Sequence, residues 1–187
     1  MRTPRWAVAA LAASLLAGCA SFAVPGYSPD YPSLDRLKAV PLAPVAVGEF
    51  QPLDPAAPVN QITLRGAPFV PPGGSFATYV AAALKADLSE LRRLDPAAPT
   101  QVSGTLLRNS FDISGFSTGT GAMQVRLLVT RGGVTRLDKT YEASISFPIH
   151  LAANVAVPRA QAEYPRLVQR LLQAVYTDPA FQAALQP

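Results

Sequence analysis

The run Ala122-Met123-Gln124-Val125-Arg126-Leu127-Leu128-Val129-Thr130, closed by Arg131-Gly132-Gly133 and followed by Val134 to Phe147, decides the fold. Met123, Val125, Leu127 and Val129 occupy every second position. Tyr141, Ala143, Ile145 and Phe147 do the same, alternating with Thr140, Glu142, Ser144 and Ser146. A period of two places each apolar set on one face of a strand. The two glycines supply a tight hairpin turn. Adjacent strands that are apolar on one side and polar on the other predict an antiparallel sheet with one wet face.

Working outward, Gln101 to Ile113 reads as a third long strand, with Gly104 marking a bulge or a point of close approach. Before it, Ser75 is the expected N-cap of the strongest helix, whose face carries Phe76, Val80, Leu84, Leu88 and Leu91. Arg92-Arg93 suits the negative end of that helix dipole, and Asp95-Pro96 stops it. Pro68, Pro71, Pro72, Gly73 and Gly74 mark a loop ahead of the helix, preceded by a short strand over 59–65. Val45, Val47 and Glu49 alternate in the expected first strand of the folded domain. Towards the end, Tyr164, Val168, Leu171 and Val175, widened by Leu167 and Leu172, predict a helix that starts or kinks at Pro165. Asp178-Pro179 restarts a short terminal helix with Phe181 and Leu185 packing back. The order β, helix, three β, helix predicts an α+β fold: a mainly antiparallel sheet with helices packed on one face.

The amino terminus has a different character. Arg2 and Arg5 precede Trp6 to Leu16, an apolar run too short to span a bilayer, and Leu16-Ala17-Gly18 lead into Cys19. This resembles a bacterial lipoprotein signal peptide with its lipobox. The resemblance implies cleavage before Cys19, a diacylglycerol on its thiol, and acylation of the new amino terminus. Ala20 stands where an aspartate commonly marks inner-membrane retention in such proteins. By that sorting pattern the chain is expected at the outer membrane, lipid-anchored and facing the periplasm. Pro25, Pro29, Pro32, Pro41 and Pro44 then favour extended backbone. The expected organisation is a signal peptide over 1–18, the lipidated Cys19 and a Pro-rich tether over 19–44, and one α+β periplasmic domain over 45–187.

Composition excludes several functions. The chain of 187 residues has 16 Lys+Arg against 12 Asp+Glu, a charge of +4. Without Arg2 and Arg5 the balance is 14 against 12, or +2, and Arg92-Arg93 is the only adjacent basic pair. That is no footprint for nucleic acid. Cys19 is the single cysteine, so its acylation leaves no thiol for a disulfide, a nucleophile or a metal. His150 is the single histidine, and no cofactor or metal site is expected.

Gly115-Phe116-Ser117-Thr118-Gly119 matches the G-x-S-x-G nucleophile elbow, and Asp138 and His150 follow in hydrolase order. The elbow needs a strand, a sharp turn and then a helix. Met123 to Leu127 has a strand pattern instead, so a hairpin loop is expected at Ser117 and catalysis is not. The aromatics on loops, Phe116 and Phe69, are the candidate interaction residues. Leu53-Asp54-Pro55-Ala56-Ala57-Pro58 recurs as Leu94-Asp95-Pro96-Ala97-Ala98-Pro99, a repeat best explained as turn chemistry.

Two stretches carry a further resemblance. Gly74-Ser75-Phe76-Ala77-Thr78-Tyr79-Val80 with Ala83-Leu84, Leu88 and Leu91, and the closing Tyr176-Thr177-Asp178-Pro179-Ala180-Phe181, are similar to small uncharacterised YajG-like periplasmic lipoproteins. Val45-Ala46-Val47-Gly48-Glu49-Phe50 resembles the first strand of the α/β module in curli-secretion and transport-auxiliary lipoproteins. These matches imply fold and location, and they carry over no functional residue except Cys19. The expectation is a non-catalytic accessory, assembly or binding protein of the cell envelope, docking on an envelope protein or component. The alternatives are a lipid-anchored serine hydrolase using Ser117 and a module binding a small apolar ligand between sheet and helices.

Overall fold

The computed structural model describes residues 21–187 apart from Pro55 and Ala57. The expected signal peptide and lipobox, with Cys19, and Ala20 lie outside the described residues. The fold is α+β.

The hairpin forms as its pattern demands. Strands β6 (Thr118–Arg131) and β7 (Val134–Pro148) pair antiparallel from Arg131↔Val134 to Thr118↔Pro148. Gly132 and Gly133 take φ of 55° and 81°, the left-handed pair that a two-residue hairpin turn requires. Strand β5 (Thr100–Asp112) pairs antiparallel with β6, and β2 (Val45–Pro52) pairs parallel with β5. The sheet order is β2-β5-β6-β7. The parallel pair exists because the chain between β2 and β5 crosses over through a helix. Met123, Val125, Leu127 and Val129 are all buried. Gly104 is a point of close approach: a Cβ there would lie 2.4 Å from a Phe50 ring carbon.

Of the helices, α1 covers Tyr31–Lys38, α2 Phe76–Glu90, α3 Ala153–Tyr176 and α4 Pro179–Leu185. Ser75 caps α2, its hydroxyl accepting from the Thr78 N–H at 3.5 Å, and Phe76, Val80, Leu84 and Leu88 are buried as expected. Helix α3 begins well before Pro165 and contains both Pro158 and Pro165. Tertiary burial explains this extension: Ala156, Val157, Ala160 and Tyr164 are packed away ahead of the expected start, which outweighs two lost backbone donors. Asp178 caps α4 through the Ala180 N–H at 3.1 Å. The repeat is the same chemistry twice over, with Asp54 accepting from the Ala56 N–H at 2.8 Å and Asp95 from the Ala97 N–H at 2.9 Å.

A second, three-stranded sheet has the order β1-β4-β3, from Phe22–Ala23, Ala67–Val70 and Ile62–Leu64. Only β3 is visible in the sequence pattern, because β1 has two residues and β4 carries Pro68. The tether expected over 19–44 is corrected from Phe22 onward, where the chain joins β4. The Val24 N–H donates to the Val70 carbonyl at 2.8 Å, and Gln161 and Gln169 donate to the Ala23 and Ser28 carbonyls at 2.8 Å each. Tyr79 donates to the Pro25 carbonyl at 2.9 Å, and Leu34 and Leu37 of α1 are completely buried. The prolines do keep 24–30 out of helix. Pro32 falls in the first turn of α1, where its missing N–H costs nothing.

Candidate functional site

The residues singled out by the G-x-S-x-G match do not converge. Ser117 lies in a bend leading directly into β6, so a strand follows it and no elbow is built. Its carbonyl accepts from the Ile149 N–H at 2.9 Å, which brings the loop before β6 against the loop after β7. His150 shares that end, its Nδ1 accepting from the Ala152 N–H at 3.2 Å. Asp138 does not. It pairs with Leu128, ten residues along the ladder from Thr118, or about 33 Å away. There the Arg126 guanidinium grips its carboxylate with bonds of 2.6 and 2.5 Å and holds its pKa below the usual range.

The two aromatic candidates part company. Phe116 is 80% exposed. Phe69 is buried, contrary to its reading as a loop aromatic, because β4 turns it inward against Phe76, Phe111 and Tyr164 at centroid distances of 5.5–6.3 Å. These rings pack together at the start of α2.

Among the exposed apolar residues that sequence reasoning missed are Leu151 and Val155, flanking the start of α3. Beside them runs a groove of about 360 Å³ lined by Phe22, Ala67, Ala153, Val157, Pro158 and the Arg65 side chain. No sequence signal marks them, because their exposure depends on where α3 begins. The uncovered face of the large sheet is polar. One shallow depression of about 320 Å³ is lined by Glu49, Gln51, Ser103, Thr105, Arg126 and Asp138. Another, of about 380 Å³, is lined by Arg108, Gln124, Glu142 and Ser144.

Buried polar groups are structural pins. Asp87 in α2 accepts from the Tyr176 hydroxyl at 2.6 Å and the Tyr27 hydroxyl at 3.0 Å. Burial pushes its carboxyl up to about 6, against the downward pull of both tyrosines. Asn109 donates to the Val59 carbonyl and accepts from the Tyr164 hydroxyl, both at 3.0 Å. Among the described residues no group of three or more His, Cys, Asp or Glu side chains could hold a metal ion.

These features define a class by architecture: a four-stranded mixed sheet backed by helices, with a small second sheet that takes in the N-terminal strand. No family model matches the chain, and no curated protein sequence matches it. Among solved structures it is similar to a Xanthomonas campestris protein of the DUF330 family, with a TM-score of 0.57 and 8% identity, covering 88% of this chain and 96% of that one. That likeness shows a shared fold. A Caulobacter crescentus protein named as a lipoprotein candidate aligns with a TM-score of 0.47 and 12% identity, over 82% of this chain and 97% of its own. A hypothetical protein of Chlamydia trachomatis aligns with a TM-score of 0.44 and 11% identity, over 72% of this chain and 96% of its own.

Proposed function

We propose that this protein is a lipid-anchored, non-catalytic component of the bacterial cell envelope, tethered through acyl chains on Cys19 and docking on an envelope protein or component. Leu16-Ala17-Gly18-Cys19 behind Arg2 and Arg5 carries the reading. Two or three acyl chains, at about 0.8 kcal/mol per buried CH₂, hold a protein to a bilayer almost permanently. Among the described residues no helix is long and apolar enough to cross a membrane, which fits an anchor made of lipid. Ala20 after the cysteine favours the outer membrane, with the body in the periplasm.

The test is metabolic labelling with radioactive palmitate, followed by membrane fractionation. The wild-type chain is expected to take up label and sediment with outer membranes. Cys19→Ala is expected to lose the label and the membrane association together. Label retained in Cys19→Ala overturns the anchor. Ala20→Asp is expected to move the protein to the inner membrane, and an unchanged distribution overturns the sorting assignment. Crosslinking of the acylated protein in envelope membranes tests docking, and the absence of any reproducible adduct counts against it.

A further inference from the structure

The pinned N-terminal strand and the exposed apolar side chains meet at one end of the molecule. Ala23 is tied to α3 through Gln161, and Phe22 lines the groove along the first two turns of that helix with Ala153, Val157 and Pro158. Leu151 and Val155, 58% and 51% exposed, flank Ala153 along the chain. The bond from the Ile149 N–H to the Ser117 carbonyl brings Phe116 to the same end. Three of the seven large hydrophobic side chains exposed among the described residues therefore cluster here.

Chain length says what covers them. Consecutive Cα atoms are 3.8 Å apart, so the Cα of Cys19 can lie no more than about 8 Å from that of Ser21, and about 11 Å from that of Phe22. The headgroup layer on each side of a bilayer is only about 6 Å thick. With the chain paired into the body from Phe22 onward, no long spacer separates the acylated residue from this end of the fold. We infer that the end formed by Phe116, Leu151, Val155 and the Phe22 groove docks on the lipid surface in which Cys19 is anchored, with the three apolar side chains immersed at the headgroup–acyl boundary. Phenylalanine and leucine are suited to that depth. Exposed Ser114, Ser117, Thr118 and Asn154 beside them can hydrogen-bond to headgroups. The orientation is fixed as a result: the β6–β7 turn with Val134 lies about 40 Å along the sheet from this end. This inference rests on acylation of Cys19.

The mature chain contains no tryptophan, because Trp6 belongs to the signal peptide, so one introduced tryptophan reports its own depth. Phe116→Trp, Leu151→Trp and Val134→Trp are purified as acylated proteins and reconstituted into phosphatidylethanolamine/phosphatidylglycerol vesicles containing acyl-brominated phosphatidylcholine. Phe116→Trp and Leu151→Trp are expected to lose emission about twofold and shift to the blue, while Val134→Trp stays unchanged. Proteins that float with the vesicles but show no quenching at Phe116→Trp and Leu151→Trp overturn the docked end and leave the anchor standing. Equal quenching at Val134→Trp overturns the fixed orientation and the proposal with it. Failure to float overturns the anchor, and this inference falls with it.

Discussion

The β6–β7 hairpin and the segment 21–44 are both integral to the fold, yet they are held by opposite kinds of interaction. The hairpin is local: its partners face each other across a two-residue turn, and burial along β6 alternates with the pleat. The N-terminal segment is held across long sequence separations. Tyr27 reaches Asp87, Pro25 is bonded by Tyr79, Ser28 is met by Gln169, and α1 buries Leu34 and Leu37 beside α3. Periodicity reveals the first kind of contact and is blind to the second.

The largest expected effect tests that difference directly. Leu34→Ala empties a fully buried site and is expected to destabilise the protein by about 2–5 kcal/mol in urea unfolding. A solvated tether would register nothing. A value within error of wild type therefore removes α1 from the core and restores the tether reading.

In the hairpin's own sheet, Gly104→Ala is the matching perturbation. The added Cβ would meet the Phe50 ring at 2.4 Å, so about 1–3 kcal/mol of overpacking is expected. Combining it with Phe50→Leu should recover part of that loss, since the planar ring is what blocks the site. Additive losses in the double variant would show that the contact is not the cause.

Legibility followed this division between local and distant contacts. The long strands, the Ser75 cap and the Asp-Pro turns depend on neighbours within a few residues, and all were readable; at Gly104 the glycine itself marked the spot, although its partner Phe50 lies on another strand. Strand β1 was not, because two residues carry no period. Phe69 was misjudged because prolines on either side suggested an open loop, whereas Pro68 is tolerated in β4 and the ring turns inward. At the candidate site, Phe116 could be read from its Gly/Ser/Thr surroundings. Leu151 and Val155 could not, since their exposure depends on where α3 begins, and burial of Ala156, Val157 and Ala160 moved that point away from Pro165.

The smallest effect concerns the buried polar pin that ties the N-terminal segment to α2 and α3. Asp87 is buried on α2 and bound by one tyrosine from the N-terminal segment and one from α3. Its carboxyl titrates near 6 in the folded protein, above its ordinary value, because burial penalises the charged form more than the hydroxyls favour it. The folded state thus holds this proton more tightly than the unfolded chain does. The stability it contributes is complete below the ordinary carboxylate range and is lost as pH rises through about 6. Asp87→Asn keeps an acceptor for a tyrosine and removes the titration, so its urea midpoint should vary less than that of wild type between about pH 4 and about pH 7. Tyr27→Phe removes one donor that favours the carboxylate. It should cost about 1 kcal/mol at neutral pH and push the Asp87 transition further upward, so that wild type and variant converge as the pH falls. Parallel curves for wild type and Asp87→Asn would show that Asp87 does not titrate in this window. A pH-independent gap between wild type and Tyr27→Phe would mean that the Tyr27 hydroxyl stabilises the fold equally whether Asp87 is charged or neutral, against the coupling between the two groups.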